Sequence, residues 1–451
     1  MTDAVAEPYQ EITFDAQGEV NERQRDRLAR LEVTDLVMFA HGWNSRRSVA
    51  TRMYERFYAP FPGLLADSTG VRLGYAGVVW PSMRFADEPV PDFGRSLAAA
   101  PTEPGLDQQT REALVRAFPG CEGIVERLGE LLTQRPEEPA AFEEFGALVR
   151  RLTEGGAGGG GGSTAARASD GGTQPEPASA SDEEPVPGEE PAADEPLMLR
   201  DDTLTVCQGF AAALTEADAE PGARSLALGG GLKKAWNGAK ELLRQATYFE
   251  MKRRAGTVGR LGLGPVLGQL ARSSPSVRVH LVGHSQGARL VAFALRGLPD
   301  GVRNVKSVTL LQGAFSHYAF AERLPHARGR GGALRGAQRR VDGPVVACHS
   351  RHDSALGVIY PLASRLAGDS AGLAGLGSRW GAVGFDGIKA VPGTVGLTLA
   401  RALRDGVPGA GCVNVDAAAV VRRGGAPSGA HSDILHPELA RVVLAAGRLT
   451  G

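Results

Sequence analysis

The sequence predicts an α/β protein: a mostly parallel, doubly wound sheet with a large helical insertion and a disordered internal linker. Three observations predict it. Short runs that are apolar throughout, rather than alternating, recur along the chain with amphipathic stretches between them, as in a sheet covered on both faces. Residues 83–275 separate two such runs, far more than one crossover needs. Residues 154–195, "EGGAGGGGGSTAARASDGGTQPEPASASDEEPVPGEEPAADE", hold almost nothing able to fill a core.

Taken in order, "EITFDAQGEV" (11–20) reads as an antiparallel edge hairpin, and "TDLVMFAHGW" (34–43) as a buried strand ending in a loop. "SVATRMYERFYAPFPGLLAD" (48–67) has helical spacing broken by Pro60 and Pro62. "RLGYAGVVWPS" (72–82) is the next strand. Helices are expected near 106–118, 120–134, 139–153, 200–217 and 232–255. Further strands follow at "SVRVHLVGHS" (276–285), "VKSVTLLQGAF" (305–315), "GPVVACHS" (343–350) and "GCVNVDAAAV" (411–420). The expected organisation is a core of residues 1–82 and 232–451, a helical insertion of 83–153 and 196–231 that has the size of a cap, and a linker of 154–195. Ten acidic residues and the single Arg167 give that linker −9, so the rest of a chain of net charge −1 carries +8. Such a composition buries too little apolar surface to offset its ordering entropy.

Near-zero net charge and 6% aromatic residues argue against a nucleic-acid surface. Cys121, Cys207, Cys348 and Cys412 are far apart with no C-x-x-C, so reduced thiols are expected and no zinc ribbon. The N-terminus "MTDAVAEPYQEITFD" has no signal-peptide pattern, and no apolar run reaches membrane-spanning length, so a cytoplasmic protein is expected. The basic, aromatic stretch 231–256 has some features of an interfacial helix but reads better as the sheet-covering helix, so membrane association is not expected.

In a chain with 61 glycines a bare G-x-S-x-G carries little weight. Its surroundings carry more. In "HLVGHSQGARLVAFAL" (280–295) an apolar strand runs into Gly283-His-Ser-Gln-Gly287, and helical spacing starts at once. That strand–turn–helix succession is what exposes a nucleophilic serine, here Ser285, and Gly283 and Gly287 let strand and helix approach. Acyl chemistry also needs backbone N–H donors for a developing oxyanion. Gln286, after the serine, is one candidate; Trp43, after the flexible Gly42 in "FAHGWNS", is the other. The base and its orienter should lie on later strand ends, acid first. Asp353 follows the strand "PVVACHS", and His431 lies in the loop of "GGAPSGAHSDILHPELARVV" (424–443). Asp433 is better read as a helper of the last helix, and His436 as that helix's entry. His349, His352, Asp353, His431 and His436 form a loose pool without metal-ligand spacing, so no metal is expected.

G-H-S-Q-G after a strand, H-G-W at an early strand end, an Asp loop and a final His loop resemble the α/β-hydrolases of the esterase/lipase type. The likeness covers about residues 33–82 and 232–451. It implies the α/β-hydrolase fold, a Ser285–His431–Asp353 triad, an oxyanion hole at Trp43 and Gln286, a small-molecule ester or acyl substrate and no cofactor. Alternatives within reach of the same residues are a peptidase or acyltransferase, or a hydrolase-fold binding protein with an unused site, because one fold hosts many functions. Oligomeric state is not legible.

Overall fold

Among the described residues eight strands form one sheet: β1 (Tyr9–Thr13), β2 (Asp35–Ala40), β3 (Leu73–Val79), β4 (Arg278–His284), β5 (Val305–Leu311), β6 (Pro344–His349), β7 (Val395–Thr398) and β8 (Gly411–Asp416). Their order is β1-β3-β2-β4-β5-β6-β8-β7, and every pairing between them is parallel. The structure, a computed structural model, describes residues 6–43, 47–65, 70–83, 85, 105–157, 199, 201–218, 231–327, 329–359, 381–425 and 428–449.

Among the described residues the α-helices are α1 (Glu22–Leu28), α2 (Arg47–Tyr58), α3 (Phe61–Leu64), α4 (Gln108–Ala117), α5 (Glu122–Gln134), α6 (Pro139–Ala157), α7 (Thr203–Asp218), α8 (Leu232–Thr257), α9 (Gly264–Ser273), α10 (Gln286–Ala294), α11 (Val383–Asp386), α12 (Leu399–Asp405) and α13 (Pro437–Gly447). They cover both faces of the sheet. β2 is buried at every position, and its side chains alternate between two apolar clusters. Leu36, Met38 and Ala40 join the cluster under α8, α9 and α10, whereas Val37 and Phe39 join the one under α2, α3, α12 and α13. This two-sided burial is why the run reads as continuously apolar.

The insertion helices α4, α5, α6 and α7 share the α8 side's apolar cluster with the sheet. Trp236 of α8 joins them: its ring stacks on Phe142 at 4.3 Å and meets Phe145 edge-on at 5.6 Å. Its indole N–H donates to the Pro136 carbonyl at 2.9 Å. The apolar side chains of the 231–256 stretch therefore face protein: Trp236, Leu242 and Leu243 are buried. Among the described residues no helix is long and apolar enough to cross a membrane.

Three expectations are corrected. The 11–20 stretch is at a sheet edge, but β1 pairs parallel with β3, and all that remains of a hairpin is one antiparallel bridge, Phe14 to Val20. The Asp15 carboxylate accepts the N–H groups of Gln17 and Glu19 and closes the turn, and Asn21 at once caps α1, leaving no residues for a returning strand. β7 was not foreseen; it is a four-residue edge strand with mostly exposed side chains and so carries no apolar run. The helix expected to end at 153 continues to Ala157, taking up the first residues of the expected linker, and 158–198 lies outside the described residues.

Candidate active site

Strand order locates the site before any side chain is considered. From β2 the sheet grows one way through β3 to β1, and from β4 the other way through β5 to β6. In an open parallel sheet, the crevice at such a reversal, beyond the carboxyl ends of the strands, is where ligands bind. β2 ends at Ala40, just before His41-Gly42-Trp43, and β4 ends at His284, just before Ser285.

Ser285 takes φ +56° and ψ −120°, a conformation that L-residues rarely adopt. The turn is held from both sides: the Ser285 N–H donates to the Leu311 carbonyl at 3.0 Å, and the Ser285 carbonyl accepts from Ala314 at 3.0 Å. The flanking glycines are required by space. A Cβ at Gly283 would collide with the backbone of Gly287 and Ala288, and one at Gly287 with the carbonyl oxygens of Ala40 and His41. The strand–helix approach anticipated at these positions is thus literal contact. Ser285 stands at the N-cap of α10, yet its hydroxyl does not cap the helix.

That hydroxyl instead meets the later loops. Ser285 Oγ is 2.8 Å from His431 Nε2, and His431 Nδ1 is 2.7 Å from Asp353 Oδ2. The other oxygen, Asp353 Oδ1, accepts the Leu356 N–H at 3.0 Å. The three residues come from the carboxyl ends of β4, β6 and β8. Ser285 and Asp353 are 1% and 0% exposed, while the His431 side chain keeps 12%. With Nδ1–H donated to the carboxylate, Nε2 presents a lone pair to the hydroxyl, the arrangement in which an imidazole takes a serine proton. The two loops are also tied directly: Ala430 N–H donates to the His352 carbonyl at 2.9 Å, and Ala355 N–H to the Ser428 carbonyl at 3.2 Å.

Trp43 and Gln286 border the same point. A Cβ on Gly42 would lie 2.8 Å from Ser285 Cβ, so the β2 loop carries Trp43 past the serine. Gln286 opens α10, where first-turn N–H groups have no partner within the helix. Its side chain donates to the Tyr248 carbonyl of α8 at 3.1 Å. Tyr248 packs edge-on against Trp43 at 5.5 Å, and its hydroxyl donates to the Ala314 carbonyl at 3.1 Å. Tyr248, Ala314, Leu356 and Ala382 form a small apolar cluster with Trp43, Phe249 and Phe385 against it.

Two neighbouring histidines are neutral by burial. His41 is pushed down to about 4 and His284 to about 3, the latter aided by His431 nearby. His284 was not singled out from the sequence. Its Nε2–H donates to the His431 carbonyl at 2.9 Å, a contact across 147 positions of chain that leaves no local signature.

The same three residue types also meet at the opposite end of the strands. His280 Nδ1 is 2.9 Å from Ser307 Oγ, and its Nε2 is 3.0 Å from Asp35 Oδ1. There Arg278 also binds Asp35, and Ser307, His280 and Asp35 are all buried at the amino ends of the strands. Residue type alone does not make a site; position on the sheet and backbone geometry distinguish the two sets.

The rivals fall elsewhere. Asp433 does not cap the last helix: its carboxylate accepts the N–H groups of Arg422 and Arg423 and binds His436 Nε2. It is thereby committed to shaping the loop that holds His431. His436 is the N-cap position of α13, as its helix-entry reading anticipated. His349 and His352 are not brought to Ser285 by any described hydrogen bond.

Comparison with protein-family models, curated proteins and solved structures finds no match to this chain. Among the described residues no group of three or more His, Cys, Asp or Glu gathers as a metal site. The four cysteines are buried and unbonded.

Proposed function

We propose that the protein is a serine hydrolase of the α/β-hydrolase fold that cleaves carboxylic esters through an acyl-enzyme. The observation that carries this reading is the unbroken chain from Asp353 through His431 to Ser285, ending on a serine held at φ +56°. His431 Nε2 takes the Ser285 proton as Oγ attacks the carbonyl carbon. Asp353 fixes the Nδ1–H tautomer and stabilises the imidazolium that forms. The N–H groups of Gln286 and Trp43 receive the oxyanion, and His431 returns its proton to the leaving oxygen. A water deprotonated by His431 then attacks the acyl carbon and frees Ser285. None of these steps calls for a cofactor.

The test is labelling with a fluorophosphonate probe. Wild type should label and Ser285→Ala should not, and a p-nitrophenyl ester should be turned over by wild type alone. Folded wild type that neither labels nor turns over the ester would overturn the reading in favour of a binding protein on this fold.

A further inference from the structure

We infer that His284, the residue before the serine, is a positioning residue that sets the distance between Ser285 and His431; this rests on the reaction proposed above. His431 belongs to no helix or strand, and its loop is fastened mainly to the Asp353 loop, through Ala430 to His352 and Ser428 to Ala355. Those bonds align base with acid. Neither bond reaches β4, the strand that carries Ser285. His284 supplies a link from the elbow itself. It closes β4, is 5% exposed, and donates from Nε2 to the backbone carbonyl of His431 at 2.9 Å. A carbonyl oxygen only accepts, so the proton is on Nε2. The bond goes to the backbone of the base and not to its ring. It therefore persists while the ring exchanges protons with Ser285 and rotates toward a leaving group.

Position and charge agree with this role. Gly42 approaches both residues: a Cβ there would lie 3.1 Å from His284 Nδ1 and 2.8 Å from Ser285 Cβ. His284 is therefore wedged between the loop carrying Trp43 and the loop carrying His431. The two imidazoles are 5.2 Å apart between ring centres. A cationic His284 at that range would oppose the imidazolium that catalysis needs. Burial holds its pKa down to about 3, so the ring is neutral around pH 7.

The decisive comparison is wild type against His284→Phe, which keeps a ring but loses the donor, and His284→Gln, whose Nε2 lies the same number of bonds from Cα. Fluorophosphonate labelling rate and ester kcat and KM are measured for each, with the unfolding midpoint as a control. A misplaced base costs on the order of a hundredfold, so His284→Phe should label about a hundredfold more slowly, with kcat falling and KM unchanged. His284→Gln should recover to within about tenfold of wild type. His284→Asn, with its donor one bond short, should behave like Phe and replaces it if Phe does not fold. Phe at the wild-type rate, or Phe and Gln impaired alike, overturns the role.

If wild type itself does not label, the hydrolase reading fails and a second measurement decides this one. In 15N-histidine protein, the His431 Nε2 nitrogen shift responds to the hydrogen bond from Ser285 Oγ and so reports the base–nucleophile contact without turnover. The role stands if His284→Phe moves that shift to its value in Ser285→Ala while His284→Gln keeps the wild-type value. It falls if Phe keeps the wild-type value.

Discussion

At Ser285 the backbone is held at φ +56° by bonds to Leu311 and Ala314 on one side and by the packing of Gly283 and Gly287 on the other. Such a conformation costs on the order of 1–3 kcal/mol and persists only where the surroundings over-determine it. Asp353 is constrained in the same sense, with one oxygen for Leu356 and the other for His431. An amide at 353 can keep the Leu356 bond but cannot serve as an ionic partner for the imidazolium. Asp353→Asn should therefore lower ester kcat by about 10⁴-fold while leaving the unfolding midpoint close to wild type. Wild-type turnover in that variant would remove Asp353 from the mechanism. The sequence made these residues legible because each chemical demand has a local trace: glycines at the elbow, a polar loop after an apolar run, a His loop before the last helix. His284 had no such trace, since its partner is a backbone carbonyl 147 positions away.

Among the elements, α8 joins the insertion to the site. Its early turns carry Trp236 against Phe142 and Phe145, and its later turns present the Tyr248 carbonyl to Gln286 and the Lys252 carbonyl to Arg289. Arg254 is buried and donates to the carbonyls of Pro81 and Ala117, pinning both the end of β3's loop and the insertion to the same helix. The insertion is thus built into the core. Trp236→Ala should cost about 3–5 kcal/mol of unfolding free energy, read from denaturant midpoints. A loss below about 1 kcal/mol would mean that the insertion helices do not share the core. The helices and the buried strands were legible here because burial sets their periods. β7 and the fate of residues 11–20 were not, because an exposed edge strand and a turn closed by one Asp depend on hydrogen bonds that spacing does not encode.

For the molecule as a whole, buried histidines set the acid response. His41, His280, His284 and His349 all titrate below the ordinary range, chiefly because burial disfavours the cation. The unfolded chain takes up these protons near pH 6.5, the native state only lower down. Their contribution is complete above that value and is lost as pH falls from about 6.5 toward 4, at up to about 1.4 kcal/mol per pH unit for each histidine. Asp35 and Asp386 are shifted down from a carboxylate's ordinary range, so their contribution is lost only at still lower pH. Urea midpoints measured from pH 7.5 to 4.5 should fall steadily; a flat profile would contradict neutral burial of these rings.

The strand order also bears on how such a chain can change over generations. Ser285, His431, Asp353, Gln286, Trp43 and His284 are all encoded before residue 83 or after residue 231. The passage between leaves the sheet after β3 and returns as α8, and its described helices share one apolar cluster. A change to that passage therefore has to preserve the packing of its helices on α8, which carries Tyr248 to the elbow helix. The Ser285 group and the insertion lie on separate stretches of the gene, and α8 is where a change in one reaches the other.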